Sequence, residues 1–80
     1  MPSETLYEGP AHEAAFYLPS AGIVRFGFSD ARAGGYVRCH DGALFRVQSG
    51  TRLFLMAGHH VLTLYDPKLT VRVSIVFEPD

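Results

Sequence analysis

The chain has 80 residues, 48% of them hydrophobic and 19% charged, with a formal net charge of −1. That length allows one domain, residues 1–80, with a thin core, because folding removes only about 60% of the accessible surface of so small a chain. The near-neutral balance argues against generic attraction to nucleic acid or anionic membrane, the composition excludes a disordered chain, and no apolar run approaches the roughly 18 residues of a membrane-spanning helix.

At the amino terminus, Met1-Pro2-Ser3-Glu4-Thr5 has neither the basic nor the apolar region of a secretion signal. Cys39 has no second cysteine to pair with, which fits a reducing compartment. The cytoplasm is the expected location. Beyond this point turn residues punctuate stretches rich in Val, Leu, Phe, Tyr and Arg that alternate with period two, the signature of strands. The expected strands are 4–8, 13–18, 22–29, 35–40, 43–48, 52–57, 60–65 and 69–77. In the last of them Leu69, Val71, Val73, Ile75 and Phe77 alternate with Thr70, Arg72, Ser74, Val76 and Glu78. The expected fold is all-β, six to eight short strands in a mainly antiparallel meander closed into a small barrel or a two-layer sandwich.

Registers follow from requiring paired residues to put like character on one face, since a one-residue slip inverts every side chain. Pro19-Ser20-Ala21 sets Phe16 opposite Val24. A three-residue loop His40-Asp41-Gly42, with Gly42 in the left-handed bulge position, pairs Cys39 with Ala43 and Val37 with Phe45. Ser49-Gly50-Thr51 then sets Val47 against Leu53 and Phe45 against Leu55. Gly58-His59 sets Leu55 against Leu62, and Tyr65-Asp66-Pro67-Lys68 sets Leu64 against Leu69 and Leu62 against Val71. The expected core is Phe16, Leu18, Val24, Phe26, Phe28, Val37, Cys39, Phe45, Val47, Leu53, Leu55, Leu62, Leu64, Leu69, Val71, Val73 and Ile75.

The same registers dictate the opposite face, in rows Arg38, Leu44, Met56, Val61, then Tyr36, Arg46, Phe54, Thr63, then Gln48, Arg52, Tyr65. Arg46 is expected between Tyr36 and Phe54, where a guanidinium can stack on aromatic faces. This face lacks the Lys/Glu mixture of a wet surface. Arg25, Arg38, Arg46, Arg52 and Arg72 fall inside strands without an accompanying acid, and arginine is the cation favoured at interfaces. Leu44, Phe54, Met56 and Val61 form an apolar patch that burial would stabilise by roughly 8–10 kcal/mol gross, on the scale of the cost of association. Three things can cover it: strands 4–8 or 13–18 of the same chain, a second copy, or a foreign partner.

Catalytic and metal chemistry find little support. His59-His60 and Cys39-His40 are adjacent pairs whose side chains point to opposite faces of a strand, so each offers at most one ligand to a common site, and His12 would have to arrive from elsewhere. Cys39 on the core face behaves as a small hydrophobe rather than a thiolate nucleophile. Asp30, Asp41 and Asp66 suit turns, and Arg32-Ala33-Gly34-Gly35 is a connector rather than a phosphate loop. No cofactor, metal or catalytic residue is expected.

What remains is a stand-alone, non-enzymatic binding protein that acts stoichiometrically, as a small inhibitor, adaptor or assembly subunit, phage-encoded or host-encoded alike. Its expected contact residues are Tyr36, Arg38, Leu44, Arg46, Arg52, Phe54, Met56 and Val61, and its partner a protein, a second copy in a homodimer included, with no membrane role. The alternative is a small β-barrel for single-stranded nucleic acid, with Tyr36, Phe54 and Tyr65 stacking bases beside Arg25, Arg38, Arg46 and Arg52.

Overall fold

Every segment read as a strand from its alternation is one. The computed structural model describes residues 3–66 and 68–79. Its strands are β1 (Glu4–Ala11), β2 (Glu13–Leu18), β3 (Gly22–Phe28), β4 (Gly34–Cys39), β5 (Leu44–Gln48), β6 (Arg52–Leu55), β7 (Gly58–Leu64) and β8 (Val71–Pro79). Met1 and Pro2 of the amino-terminal stretch, Pro67 of the expected 65–68 turn, and Asp80 lie outside the described residues.

The strands form two antiparallel sheets, ordered β1-β8-β3-β6 and β2-β7-β4-β5, so the expected two-layer sandwich is the architecture. Its connectivity is not a meander. Only β4 and β5 are consecutive strands of one sheet; each other connection crosses between layers. An eight-stranded double sheet with this order is a jelly roll.

The β4–β5 hairpin has the expected register, with Val37 opposite Phe45 and Tyr36 opposite Arg46. Its loop works as anticipated: the Cys39 amide donates to the Ala43 carbonyl at 2.8 Å, the Gly42 amide donates to the Cys39 carbonyl at 2.9 Å, and Gly42 has φ +93°. The remaining registers are corrected. Phe16 lies opposite His60 rather than Val24, Val24 opposite Leu53, Leu62 opposite Val37 and Ala14, and Val71 opposite Ala11. The physical reason is that a strand's alternation says which face each residue takes, not which strand lies beside it.

Face assignment survives the change of neighbours. Val24, Phe26, Phe28, Leu55, Val71, Val73, Ile75 and Phe77 from one sheet meet Ala14, Phe16, Leu18, Val37, Val47, Leu62 and Leu64 from the other, all buried. Three expected core residues fare otherwise: Leu53 and Leu69 are half-buried, and Phe45 is 38% exposed. His60, at the start of the expected strand 60–65 but left out of the expected core, is a core residue, 2% exposed. Among the described residues no helix is long and apolar enough to cross a membrane.

Candidate functional site

Ladder alternation decides which backbone groups the sheets leave unpaired. In an antiparallel pair only every second residue of a strand bonds to a given neighbour. The Cys39 amide bonds to the Ala43 carbonyl, and Val37 lies opposite Phe45, so Phe45 and Val47 bond to β4. Leu44 and Arg46 turn their N–H and C=O toward the open edge. Gln48 shares that parity, but its amide donates to Thr51 Oγ1 at 2.8 Å and its carbonyl accepts from the Thr51 amide at 3.0 Å.

The same holds for β6, the edge strand of the other sheet. The Phe26 amide donates to the Thr51 carbonyl at 2.9 Å, the Gly50 amide donates to the Phe26 carbonyl at 2.7 Å, and Val24 and Gly22 lie opposite Leu53 and Leu55. Arg52 and Phe54 are left facing outward. The two open edges lie on the same side of the sandwich, so one flank presents Leu44, Arg46, Arg52 and Phe54 with unpaired backbone. Exposed strand edges of this kind are templates for pairing with another chain.

Side chains make the flank apolar as well as open. Leu44 is 58% exposed, Phe54 55% and Met56 62%. Phe45 points inward, yet β5 sits at the rim and leaves it accessible. Between the layers at this end runs a cleft of about 70 Å³, lined among others by Phe45, Phe54, Met56, Cys39, His40 and His60. The His60 ring stacks on Phe16, centroids 5.4 Å apart. Burial pushes the Cys39 thiol pKa up, and the Asp41 carboxylate adds to the shift, so this sulfur stays protonated and is a poor nucleophile. Among the described residues no group of three or more His, Cys, Asp or Glu side chains comes together in a way that could hold a metal ion.

The eight expected contact residues do not share one face. Tyr36, Arg38, Leu44, Arg46 and Val61 lie on the outer surface of the β2-β7-β4-β5 sheet, in rows Ala15–Val61–Arg38–Leu44 and Glu13–Thr63–Tyr36–Arg46. Arg52 and Phe54 belong to β6 in the other layer, and Met56 follows that strand. Ala15 and Glu13 take the places expected of Met56 and Phe54. Arg46 has Tyr36 beside it, but Phe54 is not its second neighbour. Nor do β1 and β2 fold over the outer face: β2 lies in its plane and β1 in the opposite sheet.

This division also splits the set read as a base-stacking platform. Tyr36 and Tyr65 stay close, ring centroids 5.9 Å apart, whereas Phe54, Arg52 and Arg25 are on the other layer. There Arg52 and Arg25 reach the Glu78 carboxylate at 3.4 and 4.0 Å, and Arg72 reaches Glu8 at 4.0 Å. These acids come from distant strands, which is why a linear reading found none beside the arginines. Such exposed pairs contribute about 0–1 kcal/mol each.

Phe45 is the exposed apolar residue of this flank that sequence reasoning placed in the core. Nothing in its alternation could have marked it, because its exposure comes from the place of β5 at the end of a strand order set by long-range pairing.

No family model and no curated protein matches the chain. Among solved structures, it is similar in fold to the C-terminal domain of A223, a structural protein from sulfolobus turreted icosahedral virus, with a TM-score of 0.67 and 15% sequence identity over 99% of this chain and 100% of that one. At that identity the likeness is one of fold.

Proposed function

We propose that this chain is a non-enzymatic binding protein that acts stoichiometrically through its β5/β6 flank, in the manner of a viral assembly subunit. The observation that carries the reading is the coincidence, on one flank, of two open strand edges with the exposed Leu44, Phe45, Phe54 and Met56. Monomeric domains blunt such edges, and apolar patches of this kind mark contact sites. The likeness to a domain of a viral structural protein favours an assembly subunit over a small inhibitor or adaptor. A reducing cytoplasm suits the unpaired Cys39. Arg46 and Arg52 fit acidic groups on the partner, to which a guanidinium bonds bidentately.

The test is a photocross-linking residue placed at position 54, with position 31 on the exposed β3–β4 loop as control. Position 54 is expected to give cross-links to protein, its own chain included, that Met56→Asp abolishes without moving the melting temperature by more than a few degrees. Cross-links to nucleic acid instead, or equal yields from both positions, would reject the reading. Salt-sensitive binding of a labelled single-stranded oligonucleotide would support the alternative.

A further inference from the structure

The sheet ordered β2-β7-β4-β5 has two open edges whose backbone groups can be assigned. The Leu64 amide donates to the His12 carbonyl at 2.8 Å, and Ala14 and Phe16 lie opposite Leu62 and His60, so the even-numbered residues of β2 bond to β7. Glu13, Ala15 and Tyr17 face the open edge with unpaired N–H and C=O, as Leu44 and Arg46 do on β5. All pairings are antiparallel and the sheet has four strands, an even number, so its two edge strands run in opposite directions. A second copy displaced across the sheet brings its β2 antiparallel to the first copy's β5.

The rows of the sheet choose the register. One begins at Glu13 and ends at Arg46, the next begins at Ala15 and ends at Leu44. A copy that continues both rows puts its Glu13 beside Arg46 and its Ala15 beside Leu44, on the same face. Among the described residues neither Glu13 nor Arg46 has an ion-pair partner. A two-fold contact of β5 with β5 would gather Arg38 and Arg46 of both copies at one seam with no acid on either strand. The other sheet is less suited to extension, because its β1 edge carries a bulge between Thr5 and Tyr7, and Pro10, which has no N–H, gives its carbonyl to the Tyr7 hydroxyl at 3.0 Å.

We infer that a second copy of this chain docks head to tail, the Glu13/Ala15 edge of one copy pairing with the Leu44/Arg46 edge of the next. The inference rests on the protein-contact reading of the β5/β6 flank and names its partner. The contact is heterologous, so an open assembly keeps one free edge of each kind and grows past a dimer, until it closes into a ring or continues as a filament.

Sedimentation of the purified chain from micromolar to millimolar concentration in low salt tests it. The wild-type mass is expected to rise beyond two copies and fall back as salt screens the pair. Glu13→Arg and Arg46→Glu should each weaken association by roughly tenfold or more. An equimolar mixture of the two variants should assemble again, since in alternation every contact regains one acid and one arginine. Ala15→Pro, which removes an edge N–H without touching the β7 ladder, should block growth with the fold intact. A mass that stops at two and ignores Glu13→Arg would replace this geometry by a two-fold contact and leave the protein-contact reading standing. A chain monomeric at every concentration would overturn the inference, and cross-linking at position 54 then reports independently on whether another protein uses the flank.

Discussion

His60 Nε2 donates a hydrogen bond to the Met56 carbonyl oxygen at 2.8 Å, which fastens the β6–β7 connection to the buried side of β7. A carbonyl can only accept, so the ring carries a proton on Nε2, while Nδ1 is buried and without a partner. The ring thus does two jobs, filling core volume against Phe16 and satisfying a carbonyl where the chain leaves β6.

Substitutions separate these contributions. His60→Ala loses both, with an expected cost of about 2–4 kcal/mol. His60→Phe keeps the packing but orphans the carbonyl, with an expected cost of about 1–3 kcal/mol. Urea denaturation measures both. A loss below roughly 0.5 kcal/mol for His60→Ala, the range of surface substitutions, would show that the ring is dispensable and water serves Met56.

How far the sequence could be read is clearest where these elements meet. Alternation alone placed Val37, Leu62 and Ile75 inside and Arg38, Leu44 and Arg46 outside, because period two survives whichever strand lies alongside. The β4–β5 register was legible for a different reason: of the pairings the short turn allows, the three-residue loop His40-Asp41-Gly42 keeps like character on one face, and the Ala43 amide donates to Asp41 Oδ1 at 3.0 Å to hold it. The pairing of β1 with β8 leaves no such local mark. Glu4 meets Phe77 across almost the whole chain, and no turn between them encodes it. Expecting consecutive strands to pair put Phe54 beside Arg46; the jelly-roll order puts them on separate sheets, yet both at open edges of one flank. The candidate contact residues were legible as types on an outward face, and the gathering of Leu44, Arg46, Arg52 and Phe54 at open edges was not.

Gly35 marks a close approach that no side chain allows. It sits in β4 between Leu64 of β7 and Val47 of β5, and a Cβ there would run into the Thr63 carbonyl oxygen and lie 3.1 Å from Leu64 Cα. Backbone cannot swing aside as a side-chain tip does. Gly35→Ala is expected to push β4 from β7 and cost about 1–3 kcal/mol, as overpacking does. Hydrogen exchange should speed up at the Tyr65 amide, which donates to the Gly34 carbonyl at 3.1 Å. Gly42→Ala makes the contrast: nothing lies within 4 Å of its added carbon, so only the left-handed backbone opposes it, at about 1–2 kcal/mol. Equal exchange at Tyr65 in both variants would contradict the close approach at Gly35.

Acid should expose the β3–β4 connection. The Arg32 guanidinium donates to both Asp30 carboxylate oxygens, Nε to Oδ1 at 3.1 Å and Nη2 to Oδ2 at 2.9 Å, and the Arg32 amide donates to Oδ1 at 2.9 Å. The side-chain bonds from Arg32, then the amide, hold the Asp30 carboxyl at about 2 instead of the ordinary 3.8. A carboxylate whose folded pKa is depressed stabilises the fold fully above its unfolded value and loses that contribution as pH falls through the folded one. The stability difference between wild type and Asp30→Asn should hold steady above pH 5 or so, then shrink between about pH 4 and 2. The pair is open to solvent, so added salt should reduce the difference at neutral pH. NMR titration reads the site directly: Asp30 should titrate near 2, and Arg32→Ala should move it up toward 3.8. A wild-type midpoint already at the ordinary value would mean that Arg32 does not hold the carboxylate in solution.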